Sequence, residues 1–261
     1  MNATVADVVL VEEAAAGVFV VTVNRPDRKN ALNLEVKDKL TDALLALEAK
    51  AEARVIVLTG AEGCFVAGTD VGEMAHITPT EHTVLVTDRL FTVLRRMTKP
   101  VIASVEAYAL GGGCELALSC DMIVAGRTAK FGLPEVRVGV MPGAGGTQRL
   151  LRTIGKYLTM RFAMTGDLIP AEDGYGMGFI SELTDDGAAL ERSLELATSI
   201  TKMPPLAIKA IKEVIQTGGD ASLETAMLLE RKAFQILFDS DDQTEGMTAF
   251  LEKRKPSFTG K

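Results

Sequence analysis

Two stretches of the chain combine glycines with a carboxylate. Ala109-Leu110-Gly111-Gly112-Gly113-Cys114-Glu115 places three glycines between an apolar run and a helix-forming segment. Phe131-Gly132-Leu133-Pro134-Glu135 places a second glutamate in a segment that Gly and Pro hold irregular. Glycines ahead of a helix let a substrate approach the backbone closely. They also leave the first N–H groups of the helix free, where with the helix dipole they can hold a developing negative charge. A tight turn needing positive φ explains the same glycines when they are taken alone. Most glutamates are solvated surface residues, but Glu115 and Glu135 have small, apolar neighbours and few charges nearby. A carboxyl in such surroundings has its pKa raised, which suits acid or base work. A third candidate, Phe65-Val66-Ala67-Gly68-Thr69-Asp70, follows a buried strand, where ligand sites gather in α/β folds. Its plain alternative is a strand-to-helix connection with Asp70 as N-cap.

Other chemistries lack their residues. The chain has no phosphate-binding G-x-x-x-x-G-K motif, no G-x-S-x-G elbow, and Gly143-Ala144-Gly145-Gly146 does not complete G-x-G-x-x-G. The two histidines, His76 and His82, have no nucleophile placed beside them and read as polar loop residues. No metal-ligand spacing is present. Cys64, Cys114 and Cys120 form neither a C-x-x-C pair nor an even disulfide set, which fits a reducing compartment. The net charge of −7 speaks against nucleic acid as a partner, although Lys253-Arg254-Lys255 is a local basic run. Asp7, Glu12 and Glu13 precede the first basic residue, Arg25, the reverse of a secretory signal. Ala14 to Val23 is too short to span a bilayer. The expectation is a cytoplasmic protein without a membrane segment.

The elements that must position these residues alternate. Val8–Glu12 and Val18–Asn24 read as a hairpin, and Asn33 as the N-cap of a helix carrying Leu40, Leu44, Leu45 and Leu47. Val55–Leu58, Val101–Val105 and Met122–Val124 are short apolar runs with the look of buried strands. A helix is expected over 83–98 with Leu85, Leu90, Val93 and Leu94 on one face, and another from about Cys114. This alternation predicts an α/β fold with mostly parallel strands. From residue 188 the pattern becomes all-helical, over 188–202, 205–216, 221–238 and 241–254. The apolar residues of that tail, among them Met227, Phe234, Leu237 and Phe250, exceed what a short appendage can bury, so packing on a neighbouring subunit is expected.

The segments in order resemble the crotonase family, the enoyl-CoA hydratase/isomerase superfamily, over nearly the whole chain. The resemblance is carried by Asn24-Arg25-Pro26 with Lys29-Asn30-Ala31-Leu32, Phe65 to Asp70, Lys99 to Ala103, Ala109 to Leu116, Phe131 to Glu135, Met141 to Leu150, and Glu245 to Arg254. It implies a crotonase-like superhelix of stacked β-β-α turns over 1–187, followed by a helical region, 188–261, for trimerisation and coenzyme A contact. It implies an acyl-CoA thioester as substrate and a homotrimer or dimer of trimers. No metal and no cofactor are implied, coenzyme A being part of the substrate. The backbone N–H groups of Thr69 and Gly112 would bind the thioester oxygen, and the carbonyl of Ala67 the adenine. Lys29, Ala31, Asp70, Val71 and Gly143, with Phe250 and Lys253 of a neighbouring subunit, would contact the substrate. Thr69 stands where many relatives have alanine.

Both glutamates together favour reversible syn addition of water to a trans-2-enoyl-CoA, with Glu115 deprotonating the water and Glu135 supplying the proton to C2. The alternatives are an enoyl-CoA isomerase, a dehydratase of a specialised hydroxyacyl-CoA, and a non-catalytic RNA-binding relative. The helix at 35–51 mixes Lys37, Lys39 and Lys50 with Glu35, Asp38, Asp42 and Glu48, and reads as a solvated face rather than an RNA surface.

Overall fold

The computed structural model describes residues 7–85 and 87–261. β1 (Val9–Ala15) and β2 (Val18–Val23) form the expected antiparallel hairpin, closed by Gly17 at φ +76°. β2 is buried on both faces: Phe19, Val21 and Val23 join one core, Val18 and Val20 another. Two-sided burial is why it reads as a continuous apolar run and not as an alternation.

α1 (Leu34–Ala49) starts at Asn33, whose side chain accepts the Val36 N–H at 2.9 Å. Val36, Leu40, Leu44 and Leu47 are buried, whereas Leu45 faces solvent. β3 (Val55–Gly60) pairs in parallel with β2. The chain then passes through residues 65–69 to α2 (Val71–Met74), α3 (Pro79–Val84) and α4 (Arg89–Arg96). The single helix expected over 83–98 is therefore two, and Val86, inside the expected span, lies outside the described residues. A capping box of Thr78 and Glu81, with Pro79 in the first turn, starts α3 upstream of that span. Leu85 closes α3 and is exposed, while Leu90, Phe91 and Leu94 bury the inner face of α4.

β4 (Val101–Val105) leads to β5 (Tyr108–Leu110) and α5 (Gly112–Leu118). β6 (Met122–Gly126) leads to β7 (Lys130–Gly132), a 3-10 turn over Pro134–Val138, and α6 (Gly146–Thr165). β8 (Ile169–Pro170), α7 (Ala171–Met177) and β9 (Glu182–Thr184) complete this part. The large sheet has the order β1-β2-β3-β4-β6-β9 and is parallel from β2 to β9. A second sheet, β5-β7-β8, is continued by parallel bridges Val66–Ala109 and Leu32–Thr69. Successive turns thus add one strand to the large sheet and a short extended piece to the second before the chain turns helical, the stacked β-β-α arrangement expected. α7 contains Gly174 and Gly176; a Cβ on Gly174 would lie 2.5 Å from the Phe179 ring, so close packing requires glycine there.

The tail is helical as expected, with α8 (Ala189–Thr201), α9 (Pro205–Gly218), α10 (Leu223–Ile236) and α11 (Asp241–Glu252). α8 covers the second face of the large sheet, where Ala189 and Ala197 meet Val18, Val55, Ile102 and Val124. α9 and α10 leave Ile211, Ile215, Met227, Leu228 and Phe234 exposed.

Candidate active site

The three glycines before Glu115 are required for three different reasons. Gly111 adopts φ +51°, ψ −125°, a conformation open to glycine. A Cβ on Gly113 would lie 2.0 Å from the Val66 carbonyl oxygen, so α5 rests directly on the 65–69 segment. A Cβ on Gly112 would lie 2.5 Å from Thr69 Oγ1. A tight turn explains only the first of these.

Thr69 and Gly112 are neighbours across the 65–69 segment and the start of α5. Leu32 donates to the Gly68 carbonyl at 2.8 Å and accepts from the Asp70 N–H at 2.9 Å. In such a parallel bridge the N–H of Thr69 itself points to the other edge, where α5 begins. Gly112 is the first residue of α5, so its N–H has no acceptor within the helix.

Glu115 lies on the first turn of α5 and is 3% exposed. Its Oε1 accepts the N–H groups of Ala144 at 2.7 Å and Gly146 at 2.9 Å. Arg149 holds that loop by donating to the Ala144 carbonyl at 2.8 Å. Burial raises the Glu115 pKa, and the two N–H donors with the charges of Arg149 and Lys37 offset part of the rise. Glu135 sits in the 3-10 turn after β7, and its Oε1 is 3.2 Å from the point a Cβ on Gly111 would occupy. Its Oε2 is buried and has no hydrogen-bond partner among the described residues. Burial pushes this carboxyl up to about 7, and the charge of Glu115 adds to the rise. The structure therefore gathers both glutamates, Thr69 and Gly112 around the N-terminus of α5. One carboxyl is held by donors suited to its ionised form; the other is desolvated and suited to its protonated form.

Lys29, Ala31, Ala67 and Asp70 form a second group beside the first. The Ala67 N–H donates to the Lys29 carbonyl at 3.0 Å, and the Lys29 ammonium lies 5.4 Å from the Tyr108 ring centre. Arg25 ties the group together, donating to the Ala31 carbonyl at 2.8 Å and to Asp70 at 3.2 Å. Asp70 also caps α2 through the Gly72 N–H, which is its plain structural role. Val71 and Gly143 are exposed, and a Cβ on Gly143 would meet open space. Phe250 on α11 is 83% exposed, and Lys253 is exposed at the C-terminal end of that helix, so neither is packed into the site of this single chain. His76 and His82 are exposed, His82 on α3 rather than in a loop. Within the basic run, Arg254 is paired with Glu245 and Glu252. Among the described residues no helix is long and apolar enough to cross a membrane.

Residues without an assigned role in the sequence reading prove central. Ala144 and Gly146 supply the donors to Glu115. The glycine run 143–146 was the available signal, since a backbone donating to a buried carboxylate needs close approach. Asn30, at φ +58° and fully buried, accepts the Arg25 N–H and donates to the carbonyls of Ala61 and Cys64. A polar residue in a left-handed conformation is not visible in residue type alone.

The family model described as enoyl-CoA hydratase/isomerase matches residues 13–261. A 2,3-dehydroadipyl-CoA hydratase of Escherichia coli (strain K12) is 40% identical over 244 residues, covering 94% of this chain and 96% of the relative. A short-chain-enoyl-CoA hydratase of Clostridium acetobutylicum is 38% identical over 246 residues, covering 93% of this chain and 94% of the relative. The crystal structure of an enoyl-CoA hydratase from Mycobacterium tuberculosis H37Rv superposes with a TM-score of 0.88 at 40% identity, covering 98% of this chain and 100% of that one.

Proposed function

Since this chain belongs to the enoyl-CoA hydratase/isomerase family, we propose that it adds water reversibly to a trans-2-enoyl-CoA, giving the 3-hydroxyacyl-CoA. The observation that carries this reading is the pair of carboxyls in opposite settings at one helix N-terminus: Glu115 held by two N–H donors, Glu135 desolvated with its buried Oε2 unpartnered among the described residues.

In the proposed reaction the thioester oxygen accepts the N–H groups of Thr69 and Gly112. Glu115, ionised, takes a proton from water as the water oxygen bonds to C3. The C2–C3 π pair moves toward the thioester oxygen, giving an enolate that the two N–H groups and the α5 dipole stabilise. The enolate then collapses, and C2 takes the proton of Glu135. One water has been added, and one proton has passed from Glu135 to Glu115, to be returned by exchange with solvent. Addition of both groups from one side gives the syn product. The reaction uses no metal or redox cofactor, and coenzyme A enters as part of the substrate.

Lys29, Ala31, Ala67, Asp70, Val71 and Gly143 would line the path of the coenzyme A portion. Phe250 on α11 and Lys253 just after it, both exposed, would reach it from the next copy in a homotrimer or dimer of trimers formed through 188–261. The cytoplasm is the proposed compartment, in keeping with three free thiols. A nucleic-acid role is not supported, because Lys37 of α1 is half-buried, Lys39 stands among the exposed acids Glu35, Asp38 and Asp42, and Arg254 is already paired.

The test is hydration of crotonyl-CoA, followed as loss of the conjugated enoyl absorbance. E115Q and E135Q are each expected to fold and to lose roughly 10²–10⁴ in kcat. Near-full activity in either variant overturns the assignment, and appearance rather than loss of conjugation from a 3-enoyl-CoA identifies an isomerase.

A further inference from the structure

We propose that the side-chain hydroxyl of Thr69 is a third hydrogen-bond donor to the thioester oxygen, acting beside the backbone N–H groups of Thr69 and Gly112. The inference rests on the hydration reading for its substrate, but its own evidence is the placement of one oxygen atom.

Thr69 Oγ1 lies 2.5 Å from the position a Cβ on Gly112 would occupy. Bond geometry alone then puts it within roughly 5 Å of the Gly112 nitrogen. In a helix the Cα–Cβ direction tilts toward the N-terminus, the side to which the free Gly112 N–H also points, so the hydroxyl lies on the side of Gly112 from which an acceptor would approach. The same acceptor would take the N–H of Thr69, and a threonine can present its N–H and its O–H to one oxygen.

The hydroxyl is also unengaged. Several threonine hydroxyls elsewhere donate to a carbonyl: Thr41 to Lys37, Thr159 to Gly155, and Thr59 to Ser104. Among the described residues Thr69 Oγ1 has no such partner, and no helical carbonyl stands four residues behind it. Leu32, the bridge partner of Thr69, brings its Cδ1 to 3.6 Å from the same point on Gly112, so one side of the hydroxyl is an apolar wall. A half-buried hydroxyl against such a wall gains most from an acceptor whose negative charge grows during the reaction. The enolate oxygen is that acceptor. Gly112 is the necessary partner residue, because any side chain there would displace the hydroxyl.

The competing role for Thr69 is steric, a branched side chain that narrows the acyl site. Three variants separate the two roles. T69V keeps the shape and removes the hydroxyl, T69A removes both, and T69S keeps the hydroxyl with less bulk. With crotonyl-CoA, kcat is expected to fall about tenfold or more in T69V and T69A, with KM moving less than about threefold, while T69S retains most of the rate. The second readout is the absorbance of bound cinnamoyl-CoA, which moves to longer wavelength as its carbonyl is polarised. The shift should shrink in T69V and T69A and persist in T69S. Wild-type kcat and an undiminished shift in T69V overturn the proposal, as does a T69A variant that gains on longer enoyl chains without losing rate on crotonyl-CoA. Failure of the hydration reading would show separately, as a wild-type protein inactive on crotonyl-CoA; the cinnamoyl-CoA shift would still report whether Thr69 polarises a bound carbonyl. T69A adds no atom to the site, so it keeps the test open should T69V fold poorly.

Discussion

Glu115 and Glu135 are the same residue type in opposite electrostatic settings. Burial raises both pKa values, but two N–H groups and the charges of Arg149 and Lys37 favour ionised Glu115, whereas nothing donates to the buried oxygen of Glu135. In the proposed reaction Glu115 is ionised and Glu135 protonated, so kcat/KM should be bell-shaped in pH. The basic limb belongs to the loss of the Glu135 proton and should fall near pH 7. The acid limb should lie above the ordinary glutamate value of 4.5, both limbs being macroscopic properties of the pair. Replacing Lys37 by methionine removes a charge that holds Glu115 down, so the acid limb should move to higher pH; a pH–rate profile of K37M checks this. Stability carries the same signature. A carboxyl whose pKa is higher folded than unfolded contributes stability that is present below its unfolded value and is lost as pH rises through the folded one, here from about 4.5 to about 7. E135Q should therefore gain on the wild type as pH rises across that window and hold a constant advantage above it. After discounting for partial solvent exposure the advantage is on the order of 1 kcal/mol, read from urea unfolding at pH 5 and pH 8.

At the scale of elements, the site depends on backbone segments that approach one another more closely than side chains allow. α5 lies on the 65–69 segment through Gly113, and α6 approaches Glu115 through Gly146, where a Cβ would come 2.7 Å from Leu133 and 2.9 Å from Glu115 Cγ. Gly113→Ala meets a backbone oxygen and has nothing flexible to displace; it should destabilise the fold by about 3 kcal/mol or more. Gly146→Ala pushes on the Glu115 side chain and should lower kcat more than it raises KM. α7 offers an internal contrast. Gly174→Ala would strike the Phe179 ring and should destabilise, whereas Gly176 has open space around it in the same helix. Gly176→Ala should stabilise by about 0.5–1 kcal/mol through helix propensity alone. Thermal unfolding of the pair tests both signs in one element.

At the scale of the whole molecule, the C-terminal helices divide their labour. α8 completes the core by covering the large sheet, but α9 and α10 leave an apolar face of Ile211, Ile215, Met227 and Phe234 in solvent. An exposed apolar face of this kind signals association. A closed homo-oligomer would bury it and bring the exposed Phe250 of one copy toward the coenzyme A path of the next. Light scattering should give a trimer or a multiple of three. Phe234→Glu should yield smaller species with weakened activity. Phe250→Ala should raise KM for crotonyl-CoA several-fold with little change in kcat, because in the proposed assembly it would touch the carrier and not the reacting carbons.

What the amino-acid sequence determined by itself was local in origin. Apolar runs marked β2, β3, β4 and β6 because both faces of each strand are covered. Asn33 announced α1 because a cap is a contact across three residues. Glu115 and Glu135 stood out because their chain neighbours are glycines and apolar residues with few charges among them. The break between α3 and α4 was less legible, since it turns on which face of each short helix finds a partner, and α3 finds none. Tertiary structure alone decided how the two glutamates differ. The donors to Glu115 come from residues 144 and 146, and Glu135 comes to lie against Gly111 from a different strand end. Hydrogen-bond direction and desolvation depend on segments distant in sequence meeting in space. Residue type could therefore nominate two acids, while only the folded chain could give one two N–H donors and leave the other desolvated.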